Sequence, residues 1–145
     1  MAFALIWAYF DDAGTHRGSQ ATSIGGLVGT EATWSSFESD WLAVIANFKE
    51  YGLNAFHACD CEIGEGDFKN IHRPIRDAIS RKFSKIIAKH TELRPFWSSV
   101  VNKAWDEVAD DEFKERYQNP FGLCFEWCIQ QVELDPFAGT TGRWI

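Results

Sequence analysis

Phe3-Ala4-Leu5-Ile6-Trp7-Ala8-Tyr9-Phe10 runs straight into Asp11-Asp12-Ala13-Gly14-Thr15-His16-Arg17-Gly18-Ser19, and the fold turns on how this stretch is read. The first eight residues alternate poorly and are apolar on both sides, which predicts a central strand covered on both faces. The nine that follow read as a turn, with Gly14 and Gly18 supplying backbone freedom. The opening lacks a basic flank and a small-residue cleavage site, so it is read as a buried strand and not as an export signal. A cytoplasmic protein with reduced thiols is the expectation.

Working outward, Ala21 to Val28 predicts a second strand, close enough to the first for an antiparallel hairpin. Its Gly25-Gly26 pair marks a bulge or a close backbone contact. Thr30 and Glu31 suit a helix start. Trp34, Phe37, Trp41, Leu42, Ile45 and Phe48 then recur at helical spacing up to the stop at Tyr51-Gly52. Leu53 to Cys59 reads as a short extended segment and Asp60 to Asn70 as a loop. Pro74 opens a second helix with a buried stripe of Ile75, Ile79, Phe83, Ile86 and Ile87. Arg94 to Val101 reads as a strand, Asn102 to Tyr117 as short helices, and Pro120 as the start of a last helix. Alternating strands and helices predict an α/β fold, a mixed sheet with helices packed on it.

The chain has 145 residues, 46% of them hydrophobic and 15% aromatic, enough for a real core and far from a disordered composition. No apolar run reaches the roughly 20 residues that cross a bilayer, so no membrane is expected. A net charge of −7 argues against a simple non-specific grip on nucleic acid. Within that total, Lys69, Arg73, Arg76, Arg81, Lys82, Lys85, Lys89 and Arg94 form a basic segment.

Carboxylates at the end of a strand are held by a rigid scaffold and can bind Mg²⁺ or Mn²⁺, which favour oxygen ligands. Side chains alternate along a strand, so one of Asp11 and Asp12 is a better ligand than both together. Against this stands a plain turn, in which Asp and Gly are favoured anyway.

Motif order adds to that reading. Tyr9-Phe10-Asp11-Asp12-Ala13-Gly14-Thr15-His16 precedes the Gly25-Gly26 strand and the Trp34, Phe37, Trp41 helix. Phe56-His57-Ala58-Cys59-Asp60 and Gly64-Glu65-Gly66-Asp67-Phe68 follow. Together these resemble family 3800 of domains of unknown function, whose members open with Tyr-x-Asp-(Asp/Glu)-(Ser/Ala)-Gly and later carry (Phe/Leu)-His-x-x-Asp. The likeness fades after Arg94. It implies a ribonuclease H-like domain over residues 1–134, with 135–145 as a tail. Asp11 takes the place of the lead catalytic carboxylate and Asp12 the second acidic place, while His57 and Asp60 fill the His-x-x-Asp places. Asp11, Asp12 and Asp60 would ligate Mg²⁺ or Mn²⁺, with nucleic acid as the partner. The implied chemistry is phosphodiester hydrolysis with two ions about 4 Å apart. His57 or His16 would orient water or protonate the leaving group.

Members of that family usually continue with another core strand and a helix bearing further acidic positions. This chain therefore resembles a truncated member, or Glu126, Glu133 or Asp135 supplies the missing carboxylate. A catalytically inactive binding or interaction module is the alternative function.

Other constellations weigh toward packing. His57, Cys59, Cys61, His72, Cys124 and Cys128 invite a zinc reading, but Cys124 and Cys128 sit in an apolar helical stripe where free Cys behaves as a small hydrophobe. Arg76, Lys82, Lys85 and Lys89 lie off the second helix's apolar stripe, as a phosphate-tracking face or as a solvated one. Trp34 and Trp41 are expected in the core, and Trp105, beside Asp106-Glu107, is expected to be partly exposed. Arg17 is placed near the acidic pair, to meet a phosphate or simply to be solvated.

Overall fold

A computed structural model describes residues 6–16 and 18–134. The chain falls into two compact units, one formed by Met1–Thr30 with Leu93–Ile145 and the other by Glu31–Glu92. The expected tail, residues 135–145, lies outside the described residues, as does Arg17.

The first unit is a sheet with helices. Strands β1 (Ile6–Ala13), β2 (Ala21–Thr30) and β3 (Arg94–Val101) pair in the order β1-β2-β3, antiparallel throughout. The α/β class expected from sequence holds, but the described sheet is antiparallel and not mixed. β1 is also an edge strand of that sheet, not its centre, and its burial alternates along Ile6 to Phe10. The small alanine at position 8 hides this alternation in the sequence, because Trp7 and Tyr9 look as apolar as the residues that pack inward.

Cross-strand register sorts the side chains into two faces. Ile6, Ala8, Phe10, Ile24, Val28, Phe96 and Val100 share one face. Three helices follow β3: α4 (Asn102–Val108), α5 (Asp111–Tyr117) and α6 (Pro120–Leu134). Helix α6 lays Leu123, Cys124, Cys128 and Val132 onto that face, with Trp105 of α4 in the same core. Burying each of the larger aliphatic side chains contributes roughly 1.5–3 kcal/mol. The Cys124 thiol donates to the Thr22 carbonyl at 3.4 Å and the Cys128 thiol to that of Ile24 at 3.6 Å. Gly26 is obligatory here, since a Cβ there would sit 2.0 Å from the Tyr9 carbonyl oxygen and 2.7 Å from the Phe96 ring.

The sheet's outer margins are partly capped by their own side chains. Gln131 Nε2 donates to the Trp97 carbonyl of β3 at 2.8 Å, beside Pro95, which has no N–H to offer. On β1, Asp12 N–H donates to Asp11 Oδ1 at 2.9 Å.

The second unit is helical: α1 (Glu31–Asn47), α2 (Ala58–Ile63) and α3 (Arg73–Lys89), with single 3₁₀ turns at Lys49–Tyr51 and Gly66–Phe68. Its core joins Leu53, Cys61, Phe68, Ile71, Ile79, Phe83 and Ile86 to Phe37, Trp41, Ile45 and Phe56. Phe83 anchors it, with ring centroids 4.2 Å from Phe56 and 4.3 Å from Trp41. Leu42 and Ile87, placed in the buried stripes by sequence, are exposed.

The strand expected over Leu53 to Cys59 is absent, and this removes the crossover that a mixed sheet needs. Its backbone hydrogen bonds go elsewhere: Asp67 Oδ2 accepts from Asn54 N–H at 2.8 Å and Ala55 N–H at 3.3 Å, and residues from Ala58 enter α2. The loop expected over Asp60 to Asn70 likewise contains most of α2 and the second 3₁₀ turn.

Asp40 fastens α1 to the end of α3. Its Oδ2 lies 2.6 Å from Lys89 Nζ and 2.8 Å from Nε2 of the buried His90. These contacts, Lys89 first and His90 next, hold the Asp40 carboxyl below its ordinary value of 3.8. The stabilisation is complete above the unfolded-state value and is lost as pH falls through the lower folded-state value. The urea midpoint of the wild type should therefore exceed that of Asp40→Asn at about pH 5, with the gap closing toward about pH 2. A gap that stays constant across that window contradicts this role for Asp40.

Candidate functional site

The acidic pair closes β1. Asp11 stands opposite Gly25 and Asp12 opposite Ile24, so the two carboxylates leave opposite faces of the sheet. Both are exposed, and both are held locally: Asp11 Oδ1 accepts the Asp12 N–H, and Asp12 Oδ2 accepts the Thr15 hydroxyl at 2.8 Å. Asp12, through Thr15, borders a cleft of about 830 Å³, whereas Asp11 shares its face with Trp7 and Tyr9.

That cleft is framed by the β1–β2 turn, the β3–α4 junction and the start of α6. Its walls carry Thr15, His16, Gln20, Lys103 and Asp106, with Trp105 at its base. The residue that fixes its shape is Asn102, which sequence reading passed over. Its Nδ2 donates to the Ser19 carbonyl at 2.8 Å, and its backbone N–H donates to that of Gln20 at 2.9 Å. Its Oδ1 accepts from the buried Thr22 hydroxyl, also at 2.9 Å. The turn is thereby tied to the far end of β3. Gly14 permits this closeness, with φ of +76° and no room for a Cβ beside the Ala21 carbonyl. An Asn following a strand carries no distinctive sequence signal; only the pairing of β2 with β3 brings Ser19, Gln20 and Thr22 to it.

His57 and Asp60 lie in the second unit. His57 precedes α2, its carbonyl accepting the Cys61 N–H at 2.9 Å, and Asp60 occupies the helix's first turn. The Asp60 carbonyl accepts N–H groups from Gly64 at 2.7 Å and Glu65 at 3.0 Å, ending α2. Asp67 stands near His57, and its carboxyl is held low chiefly by the Asn54 and Ala55 N–H groups and in smaller part by the His57 charge. The structure thus groups Asp11 with Asp12 in one unit and His57, Asp60 and Asp67 in the other.

As metal ligands, the described residues form no cluster of three or more His, Cys, Asp and Glu side chains arranged to hold an ion. One oxygen each of Asp11 and Asp12 is already accepting a hydrogen bond, and the pair diverges, so these two do not make a chelate by themselves. The cysteines follow the packing reading. Cys124 and Cys128 are wholly buried, Cys61 is buried and Cys59 exposed, and burial pushes the three buried thiols up.

The basic helix is mostly committed to its own unit. Arg73 pairs with Glu62 at 2.9 Å and Asp77 at 2.8 Å, Lys89 pairs with Asp40, and Lys82 lies over the Phe48 ring. Arg76 Nη1 donates to the Cys61 carbonyl at 2.7 Å and to that of Glu62 at 3.0 Å, a cation at the C-terminal end of α2. A phosphate-tracking face is left with little beyond Arg81 and Lys85.

The aromatic residues also depart from expectation. Trp105 is 8% exposed, buried in the sheet core and not partly exposed beside its acidic neighbours. The three most exposed among the described aromatic residues lie on the sheet face opposite α6, Trp97 at 70%, Tyr9 at 57% and Trp7 at 45%, while Phe121, Phe125 and Trp127 are exposed on α6 itself. No helix among the described residues is long and apolar enough to cross a membrane.

The chain matches no protein-family model, no curated protein and no solved structure.

Replacing Asn102 by Ala removes both side-chain bonds that tie the turn. We expect a loss of about 1–2 kcal/mol in urea unfolding. Amide hydrogen exchange should also quicken in residues 18–22, while α3 is unaffected. Unchanged exchange there would show that the cleft wall is held by something other than Asn102.

Proposed function

We propose that this chain is a ribonuclease H-like binding module that holds a polypeptide partner on the face of its sheet opposite α6. The observation that carries the reading is the composition of that face. Trp7, Tyr9, Leu27, Pro95, Trp97 and Val101 alternate there with small residues, and Asp11 is the one carboxylate among them. Exposed aromatic side chains in a contiguous patch are the ordinary material of protein interfaces, combining large apolar area with few rotamers to freeze. The charge of −7 disfavours nucleic acid as the occupant, since phosphate backbones require compensating cations. The antiparallel order β1-β2-β3, with the acidic pair at the end of β1, supports the ribonuclease H-like part of the reading.

This reading is tested with a displayed peptide library. Peptides selected on the wild-type protein should bind Trp97→Ala at least tenfold more weakly, while binding Trp105-side cleft variants such as Lys103→Ala unchanged. Selection that yields no peptide sensitive to Trp97 overturns it.

A second reading, metal-dependent phosphodiester hydrolysis, is favoured by one observation: Asp12 and its partner Thr15 border a cleft that also carries His16, Lys103 and Asp106. A bound Mg²⁺ or Mn²⁺ would supply an activated water and stabilise the leaving oxygen. The ligands gathered among the described residues do not complete such a site. Purified protein should then cleave single- or double-stranded DNA or RNA only with Mg²⁺ or Mn²⁺, and Asp12→Asn should lower the rate at least 100-fold. Cleavage that persists in both Asp11→Asn and Asp12→Asn belongs to a contaminant.

A further inference from the structure

We propose that the concavity framed by the end of β3 and by α4, α5 and α6 binds a small primary amine that carries one aromatic ring. The inference is independent of the sheet-face reading and uses other residues. The concavity measures about 420 Å³, within the roughly 300–1,000 Å³ of small-molecule sites. All its walls belong to the first unit.

Local sequence builds those walls. Val100 and Leu123 come from the sheet–helix core, and Trp105 of α4 belongs to the same cluster. The chain is extended at Ala109 and Asp110, which ends α4 and starts α5. Helix α5 then sets Phe113 beside Trp105, with ring centroids 5.8 Å apart. Trp127, one helical turn beyond Leu123 on α6, supplies the third aromatic wall. Such rings offer apolar area to another ring and negative faces to a cation.

Asp110 is the one charged side chain in the walls. Its Oδ1 accepts the Phe113 N–H at 2.8 Å and caps α5. Its other oxygen has no hydrogen-bond or ion-pair partner among the described residues. The cations nearest in sequence are engaged elsewhere. Lys103 Nζ lies 3.7 Å from Glu107, Lys114 Nζ donates to the Asp106 carbonyl at 3.2 Å, and Arg116 pairs with Glu126 at 2.9 Å. Charge and shape therefore ask for a ligand that is cationic at one end and apolar along the rest. Its ammonium meets the unengaged Asp110 oxygen while its ring lies against Trp105, Phe113 and Trp127. A carboxylate on the same ring meets like charge instead.

Magnitudes divide the work between the two ends. Asp110 is exposed, so its ion pair is worth at most about fivefold in affinity. The ring supplies the rest, and a ligand of roughly ten heavy atoms is expected to bind with a dissociation constant of about 1 mM.

Phenethylamine, phenylethanol and phenylacetate share a ring and differ in charge, and titrating each into the isotope-labelled full chain, followed by NMR, tests this. Phenethylamine should shift the indole N–H signals of Trp105 and Trp127, and phenylacetate should bind about tenfold more weakly. Asp110→Asn keeps the α5 cap, because Asn caps as well as Asp. It should lose about fivefold in phenethylamine affinity and none in phenylethanol affinity. The amine-to-alcohol ratio is read within each protein, so a small change in stability does not disturb it. Trp127→Ala, at an exposed position, should weaken amine and alcohol alike. Equal affinity for phenylacetate, a ratio that Asp110→Asn leaves unchanged, or binding that Trp127→Ala leaves intact overturns the proposal. So does a wild type whose Trp105 and Trp127 signals do not move with phenethylamine at about 10 mM.

Discussion

The packing of α6 across one face of a three-stranded sheet is the constraint on which the first unit depends. Leu123, Cys124, Cys128 and Val132 cover Ile24, Val28, Phe96 and Val100, and the two thiols sit close enough to donate to β2 carbonyls. Cysteine suits those positions because it is small enough to let helix and sheet approach and apolar enough to be buried. Once that face is taken, period-two alternation sends every other side chain to the opposite side. Trp7, Tyr9 and Trp97 are exposed as a consequence of the same packing that buries Phe10, Phe96 and Val100.

The acidic strand end follows from the same geometry. Asp11 belongs to the face opposite α6 and Asp12 to the cleft side, so a pair that is contiguous in sequence is divided in space. Each carboxylate has a local partner, and the cleft that Asp12 borders owes its shape to Asn102 and Thr22 and not to the acids themselves. The acidic pair ends an edge strand of the described sheet, and Asp11 Oδ1 engages the Asp12 N–H there. The His57 and Asp60 positions are organised differently, by the helical unit, where Asp67 and Arg76 fix the two ends of the segment that carries them.

Much of the architecture was legible in the amino-acid order. The hairpin of β1 and β2, helices α1, α3 and α6 and strand β3 are each signalled by periodicity with appropriate terminators. Misreadings occurred where local pattern was ambiguous. Leu53 to Cys59 is apolar and short, equally suited to a strand or to an irregular segment feeding a helical core, and Phe56 decides for the core by stacking on Phe83. Trp105 is flanked by acids, yet α4 turns its ring inward while Asp106 and Glu107 stay outside. The candidate site was legible only as residue types: the acidic pair was visible, whereas Asn102, Asp67 and the clamp of Asp40 on His90 join residues 13 to 83 positions apart.

By itself the sequence determined that this chain folds, that its class is α/β, and that an acidic pair ends its first strand, because periodicity, composition and turn chemistry are local properties. Tertiary structure alone decided which side of β3 is buried. Phe96, Ser98 and Val100 point to α6 while Trp97, Ser99 and Val101 point away, although a tryptophan is exposed and a serine buried by that choice. The reason is cooperative: a strand offers two alternating sets, and the register with β2 and the position of α6 select one set as a whole, regardless of what any single residue would prefer.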